Sequence, residues 1–432
     1  MDNHHTRRRR RFVTDDVDLI TDFPEDLINP ILERLPVKDA VRTSVLSKKW
    51  RYRWTTMRKL DFHFGFSGQF LNIGAYQHNG YTRVISQIMI HHQGPISTFF
   101  LHIPKEILLD SFQEVDQWML ILSRNNLREL NIINQNRIVN SNQIYQIPSS
   151  VFSCLELRVL VLCGCIFNLP LEFKGFPNLE EIYLLYVKFG GNSGGTVINL
   201  PQLRKLSLQS CRSVYNFNIK AKKLQNLRVT GCPDANAMVL QLLHSEHLNA
   251  VYICLLSSVK EFIQVKRFSF TIDGYFLKIL AAEKFPNSLP HVVQRLKELE
   301  FTYFSFGDLN QLQGALCMLR NSPNLKGLRV THMLMMGQEA DLQLTSNYLE
   351  STDCLDQTLL KLQTVEMTSL EGSRPELLFV KLLLDCSPHL ENMIIKPQAT
   401  TDAEKRLNIA KDVLMLPRAS PKAKVVFLDP EA

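Results

Sequence analysis

The 432-residue chain contains no run of about 18 uncharged apolar residues, so no helical membrane span is expected. It has no N-x-S/T glycosylation site, and Arg7–Arg11 stand where a secretory leader would carry an apolar core. Export is therefore not expected. The nine cysteines include no C-x-x-C pair, and their odd number suits a reducing compartment, nucleus or cytoplasm. Positive charge is also scarcer than the net +7 suggests: Arg7–Arg11 supply five of those charges and the body is close to neutral. That argues against nucleic acid as the main partner. Residues 1–18 read as a disordered basic tail, with an import signal as the competing reading.

Catalytic patterns are missing too. GGNSGG (Gly190–Gly195) lacks the lysine and following helix of a phosphate loop and reads as an inter-repeat loop. HSEHL at His244 has the wrong spacing for H-E-x-x-H, and His91-His92 has no cysteine or carboxylate at metal-ligand spacing. GFSGQF around Ser67 is not G-x-S-x-G. No metal, cofactor or intrinsic enzyme activity is expected.

What is present begins with FPEDLINPILERLPVKDAVRTSVLSKKWRYRW, residues 23–54. Pro24 suits a first helical turn, and Leu27, Ile28, Ile31, Leu32 and Leu35 recur at helical spacing. Pro30 would cost about 3 kcal/mol in a continuous helix, so a kink or two short turns are expected there. Ala40, Val41, Val45 and Leu46 mark a second helix, and Trp50 and Trp54 a third with a basic outer face. Units below about 40 residues usually need a disulfide, a metal or a partner. This one has no cysteine, so the rest of its core is expected from another protein.

That stretch resembles the F-box, the three-helix motif that docks on the Skp adaptor of cullin-type ubiquitin ligases. The resemblance implies adaptor contacts at Phe23, Pro24, Leu27, Ile28, Ile31, Leu32, Leu35, Pro36, Val41, Val45, Leu46 and Trp50. Phe23, where leucine is usual, and Pro30 depart from the pattern.

Beyond residue 120 the phrase L-x-x-Φ-x-Φ returns ten times, starting at Leu127, Leu157, Leu179, Leu203, Leu224, Leu248, Leu296, Leu325, Leu362 and Leu390. From Leu157 to Leu248 the steps are 22, 24, 21 and 24 residues, the period of a leucine-rich repeat with one parallel strand per unit. Three residues after the last apolar position such a repeat wants Asn, Cys or an apolar side chain, and here stand Cys165, Val187, Cys211, Cys232, Leu256, Phe304, Met333 and Leu370. Three cysteines thereby read as small buried hydrophobes. Later intervals of 29 and 28 residues leave room for helices, whereas 254–295 keep the pattern poorly, with VKRFSF a weak candidate.

The phrases LQTVEMTSLEGSRPELLFVKLLLDCSPHLENMII and LPRASPKAKVVF resemble the FBD region of a plant F-box and leucine-rich-repeat family. The expected fold is α/β: tail 1–18, F-box 19–58, a curved parallel-sheet solenoid 59–354, and an FBD-type terminal repeat 355–432. The flanking side chains of the concave face carry Lys205, Arg228, Arg329 and Lys396 against Glu181, Glu298, Glu300 and Glu366, a mixed surface and not a phosphate stripe. With Tyr183 and Tyr252 as aromatic anchors, the target-binding candidates are Glu181, Tyr183, Lys205, Arg228, Tyr252, Glu298, Glu300 and Arg329. The resemblance implies the substrate-recognition subunit of a Skp–cullin–F-box ligase. The alternative is a nuclear binding scaffold that uses the F-box without ubiquitin transfer.

Overall fold

The computed structural model describes residues 24–70, 78–105, 112–135, 144–190, 197–243, 245–254, 269–282, 294–333, 339–351 and 359–429. The basic tail, Phe23, His244, Leu256 and most of GGNSGG lie outside them.

Fourteen strands form one parallel sheet in chain order. They are β1 (Lys59–Phe62), β2 (Thr98–Ile103), β3 (Glu129–Asn134), β4 (Val159–Cys163), β5 (Glu181–Leu185), β6 (Lys205–Gln209) and β7 (Asn226–Thr230). There follow β8 (Ala250–Cys254), β9 (Ser269–Asp273), β10 (Glu298–Phe304), β11 (Gly327–His332), β12 (Thr364–Leu370), β13 (Asn392–Pro397) and β14 (Lys424–Phe427). At about 4.8 Å per strand the stack runs roughly 60 Å. Most of the strands bury alternate side chains, such as Leu160 and Leu162, Leu206 and Leu208, or Val365 and Met367, so the period of two fixes which face is core.

All ten phrases are strands. The sequence reading missed β1, β2 and β14, each without the leading leucine. In the irregular stretch the described strand is Ser269–Asp273, which shares Ser269 and Phe270 with VKRFSF and has Phe270 and Ile272 facing inward; residues 255–268 lie outside the described ones. Three strands after residue 355 continue the same sheet, each parallel to the last.

Spacing decides what lies behind each strand. Most of the short repeats use 3-10 turns and two-to-four-residue strands over a phenylalanine spine, in which Phe189 and Phe217 stack at 4.7 Å; the one from Leu224 to Leu248 holds the short helix Asn236–Leu242. The longer ones hold helices. Leu309–Arg320 starts where the Asp308 carboxylate accepts from the amides of Asn310 and Gln311, and buries Leu312, Ala315, Leu316 and Leu319 at helical spacing. Arg374–Cys386 starts with a capping box of Ser373 and Glu376.

Six of the eight ladder positions are buried, the three cysteines among them; Leu256 is not described, and Met333 is exposed. The reason is local. Tyr303 takes a left-handed φ of 51° and adds a residue to β10, so Phe304 pairs with His332 and Met333 falls beyond the ladder.

Candidate functional site

The N-terminal module has two α-helices, α1 (Glu25–Leu32) and α2 (Val37–Arg42). The expected third helix is a run of tight turns ending in the 3-10 helix Arg53–Thr56. Its amides reach back three residues, Arg53 to Trp50 and Met57 to Trp54, which keeps both tryptophans near one side without an α-helix. At Pro30, where a kink or two short turns were expected, there are not two separate turns: α1 runs through it as one helix. Pro30 is exposed, so its ring points away from the core and only the bond to the Asp26 carbonyl is lost.

Burial divides the adaptor candidates. Ile28, Leu32 and Trp50 close on Ala40 and Met57 as the module's own small core, with Leu35 and Trp54 packed against it. These three were expected on the docking face; their burial makes them its foundation. Val41 is half-buried and lines a cavity of about 550 Å³ between α2 and the helix His78–His91. Left outward are Leu27 (50% exposed), Ile31 (37%), Val45 (87%) and Leu46 (46%), beside Pro24 and Pro36 at the helix starts. Four large apolar side chains facing water on one small module are more than its own core uses, which makes the module a candidate protein interaction site.

The rest of the module's core was expected from another protein. Much of it comes from this chain. Val37 is buried in the main core with Leu60 and Phe62 of β1, and Trp54 bridges both clusters. Met57 O receives a hydrogen bond from His92 at 2.8 Å, and Gly94 lies so close that a Cβ there would stand 2.8 Å from the Thr56 Cα. The N-terminal module is thereby fixed to the start of the sheet.

The second surface is the sheet face turned away from the core. A single in-register row crosses it, passing through Tyr183, Ser207, Arg228, Tyr252, Thr271, Glu300, Arg329 and Glu366. Glu181, Lys205 and Glu298 stand two residues earlier on their strands. All eight target-binding candidates therefore share one face, and several of their charges are engaged with neighbouring charges on it. Lys205 bonds Glu181 at 2.8 Å, and Glu181 also accepts from the Tyr183 hydroxyl at 2.7 Å. Arg329 lies 2.9 Å from Glu366 and 3.8 Å from Glu300, while Lys396 reaches Glu366 at 3.0 Å. Partial burial pushes the Glu366 carboxyl up, but the hydrogen bonds from Lys396 and Arg329 outweigh it and hold the group below the usual carboxylate range.

Tyr252 is corrected. It was taken as an exposed anchor and is 2% exposed, under the Arg228 guanidinium at 4.8 Å. On β8 every residue is buried, so both faces of the sheet are covered there, and burial raises the phenol to about 12.

One juxtaposition escaped the sequence reading. Ser67 Oγ and His102 Nδ1 are 2.8 Å apart, yet both are buried, with the Phe64 ring tilted against the imidazole at 3.8 Å. A substrate carbonyl has no approach, so the pair is structural. His92 is spent on the Met57 carbonyl, and among the described residues no three His, Cys, Asp or Glu side chains gather as a metal site.

Comparison with known proteins gives the same two regions. Residues 20–62 match the F-box domain, and residues 115–269 match the LRR repeats described for FBD-associated F-box protein At5g56370. F-box/FBD/LRR-repeat protein At1g13570 of Arabidopsis thaliana is 31% identical over 95% of this chain and 98% of its own length. Probable FBD-associated F-box protein At1g32375 of the same plant is 22% identical over 95% of this chain and 100% of its own. F-box/LRR-repeat protein 13, also from Arabidopsis thaliana, is 25% identical over 56% of this chain and 52% of its own.

Proposed function

Because the chain belongs to the F-box/FBD/LRR-repeat family, we propose that it is the target-recognition subunit of a Skp–cullin–F-box ubiquitin ligase. An F-box generally indicates binding to a Skp-type adaptor, and proteins of this kind are usually non-catalytic. The observation that carries the reading is the outward set Leu27, Ile31, Val45 and Leu46, which the module's own core does not use. In the proposed assembly those side chains meet the adaptor, and through it the cullin. The repeats hold a target protein, and an FBD-type terminal repeat ends the stack. A recruited conjugating enzyme then meets a target lysine at high effective concentration, and no residue of this chain reacts. The nucleus or cytoplasm is the proposed place of action.

Reconstitution tests this. The full chain should co-purify with a Skp-type adaptor and cullin, and affinity purification with mass spectrometry should recover a target whose ubiquitination in vitro needs the chain. Absence of adaptor binding would refute the reading.

A further inference from the structure

On the open sheet face Lys205, Arg329 and Lys396 are paired with carboxylates, whereas two cations at the strand ends are not. After each of β4 to β7 the chain turns through a left-handed residue: Gly164, Tyr186, Ser210 and Gly231, with φ of 66°, 53°, 50° and 61°. Each donates its amide to the last carbonyl of the next strand, at 2.7–3.0 Å. Because the same turn repeats, successive repeats leave it in register. Val187 and Cys211 go inward, and Lys188 bridges Arg212 backbone to backbone, one strand spacing or about 4.8 Å apart.

Both side chains are exposed, and among the described residues neither has an ion-pair partner. They line a pocket of about 720 Å³ with Tyr186, Ser210, Pro233 and Ile144, and no carboxylate lines it among the described residues. Asp234, next to it in sequence, is turned to the Val214 amide at 3.0 Å. The Ser210 hydroxyl is buried and has no hydrogen-bond partner among the described residues. Two cations on adjacent strand ends can both donate charge-assisted hydrogen bonds to one anion held between them.

We propose that this pocket binds an acidic peptide segment of the target, its carboxylate or phosphate held between Lys188 and Arg212, with Tyr186 against the peptide chain. The proposal rests on the repeats being the target-binding region and names the chemistry that they read. Short synthetic peptides of random sequence, with one fixed position as Glu, phosphoserine or Gln, are passed over the immobilised full chain. Lys188→Glu/Arg212→Glu is compared with Lys222→Glu, an exposed lysine away from the pocket. Wild type should enrich Glu or phosphoserine over Gln by about tenfold, as for a close charge pair. The double variant should lose the enrichment and Lys222→Glu should keep it. Phosphoserine above Glu identifies phosphate as the anion, and the reverse identifies carboxylate. Should charge reversal unfold the chain, Lys188→Gln/Arg212→Gln is read instead. Enrichment that survives in the folded double variant overturns the proposal, as does no preference over Gln or tighter binding of a single-stranded oligonucleotide than of acidic peptides. Adaptor co-purification on the same samples separates the two failures: a chain that binds adaptor without acidic preference sinks the pocket alone.

Discussion

Replacing Leu27 and Val45 together by alanine separates docking from folding. Fully burying such a side chain is worth roughly 1.5–3 kcal/mol. With Leu27 50% and Val45 87% exposed, an adaptor that covers them gains about 1 kcal/mol from the first and about 1.5 kcal/mol from the second. Losing about 2.5 kcal/mol weakens binding roughly 60-fold. The free chain should barely notice, because neither residue belongs to the small core of Ile28, Leu32, Ala40, Trp50 and Met57. Ile28→Ala is the counterpart: it opens a cavity in that core and should destabilise the module by about 2–5 kcal/mol. Titration calorimetry with a purified Skp-type adaptor reads the first effect, and native-state hydrogen exchange over residues 25–57 the second. Wild-type affinity in Leu27→Ala/Val45→Ala, or loss of amide protection equal to that of Ile28→Ala, would refute the assignment of faces.

Further outcomes follow from the same geometry. Cys165 and Cys232 are fully buried, and burial raises the Cys165 thiol well above its usual range; both should resist thiol reagents until denaturant unfolds the chain, as mass spectrometry would show. A chain ending at residue 355 loses β12 to β14 and bares the edge of β11, so it should aggregate or melt well below the intact protein in a thermal scan. The Glu366 carboxyl sits below its ordinary value, so its ion pairs contribute fully above about pH 4.3 and are lost as pH falls through the lower folded value. Glu366→Gln should flatten that acid limb of the stability–pH curve, and an unchanged limb would mean the pairs contribute nothing.

Much of the architecture was legible because leucine spacing is a local property. L-x-x-Φ-x-Φ at 21–24 residues marks an inward pair on each strand wherever it occurs, and ten of the fourteen strands were found that way. The missed strands show the limit. Lys59–Phe62 and Thr98–Ile103 lack the leading leucine, so nothing distinguished them from any short apolar run. The site was legible in composition and not in direction. One helix face offered Leu27, Ile28, Ile31 and Leu32 alike, and helical periodicity cannot tell which of them meets Ala40 and Trp50 and which meets water.

What the sequence determined by itself is therefore the list of elements: a short helical module with more apolar side chains than it can cover, then a repeat whose period requires a parallel stack. Tertiary structure decided the rest. It gave Val37 to the solenoid core, buried Tyr252, and paired Glu181 with Lys205 and Arg329 with Glu366. It also left Lys188 and Arg212 side by side at the strand ends, with no ion-pair partner among the described residues. Those outcomes depend on which residues become neighbours across strands more than 20 positions apart in sequence. Neighbours at that distance are chosen by register and packing, which no single repeat encodes.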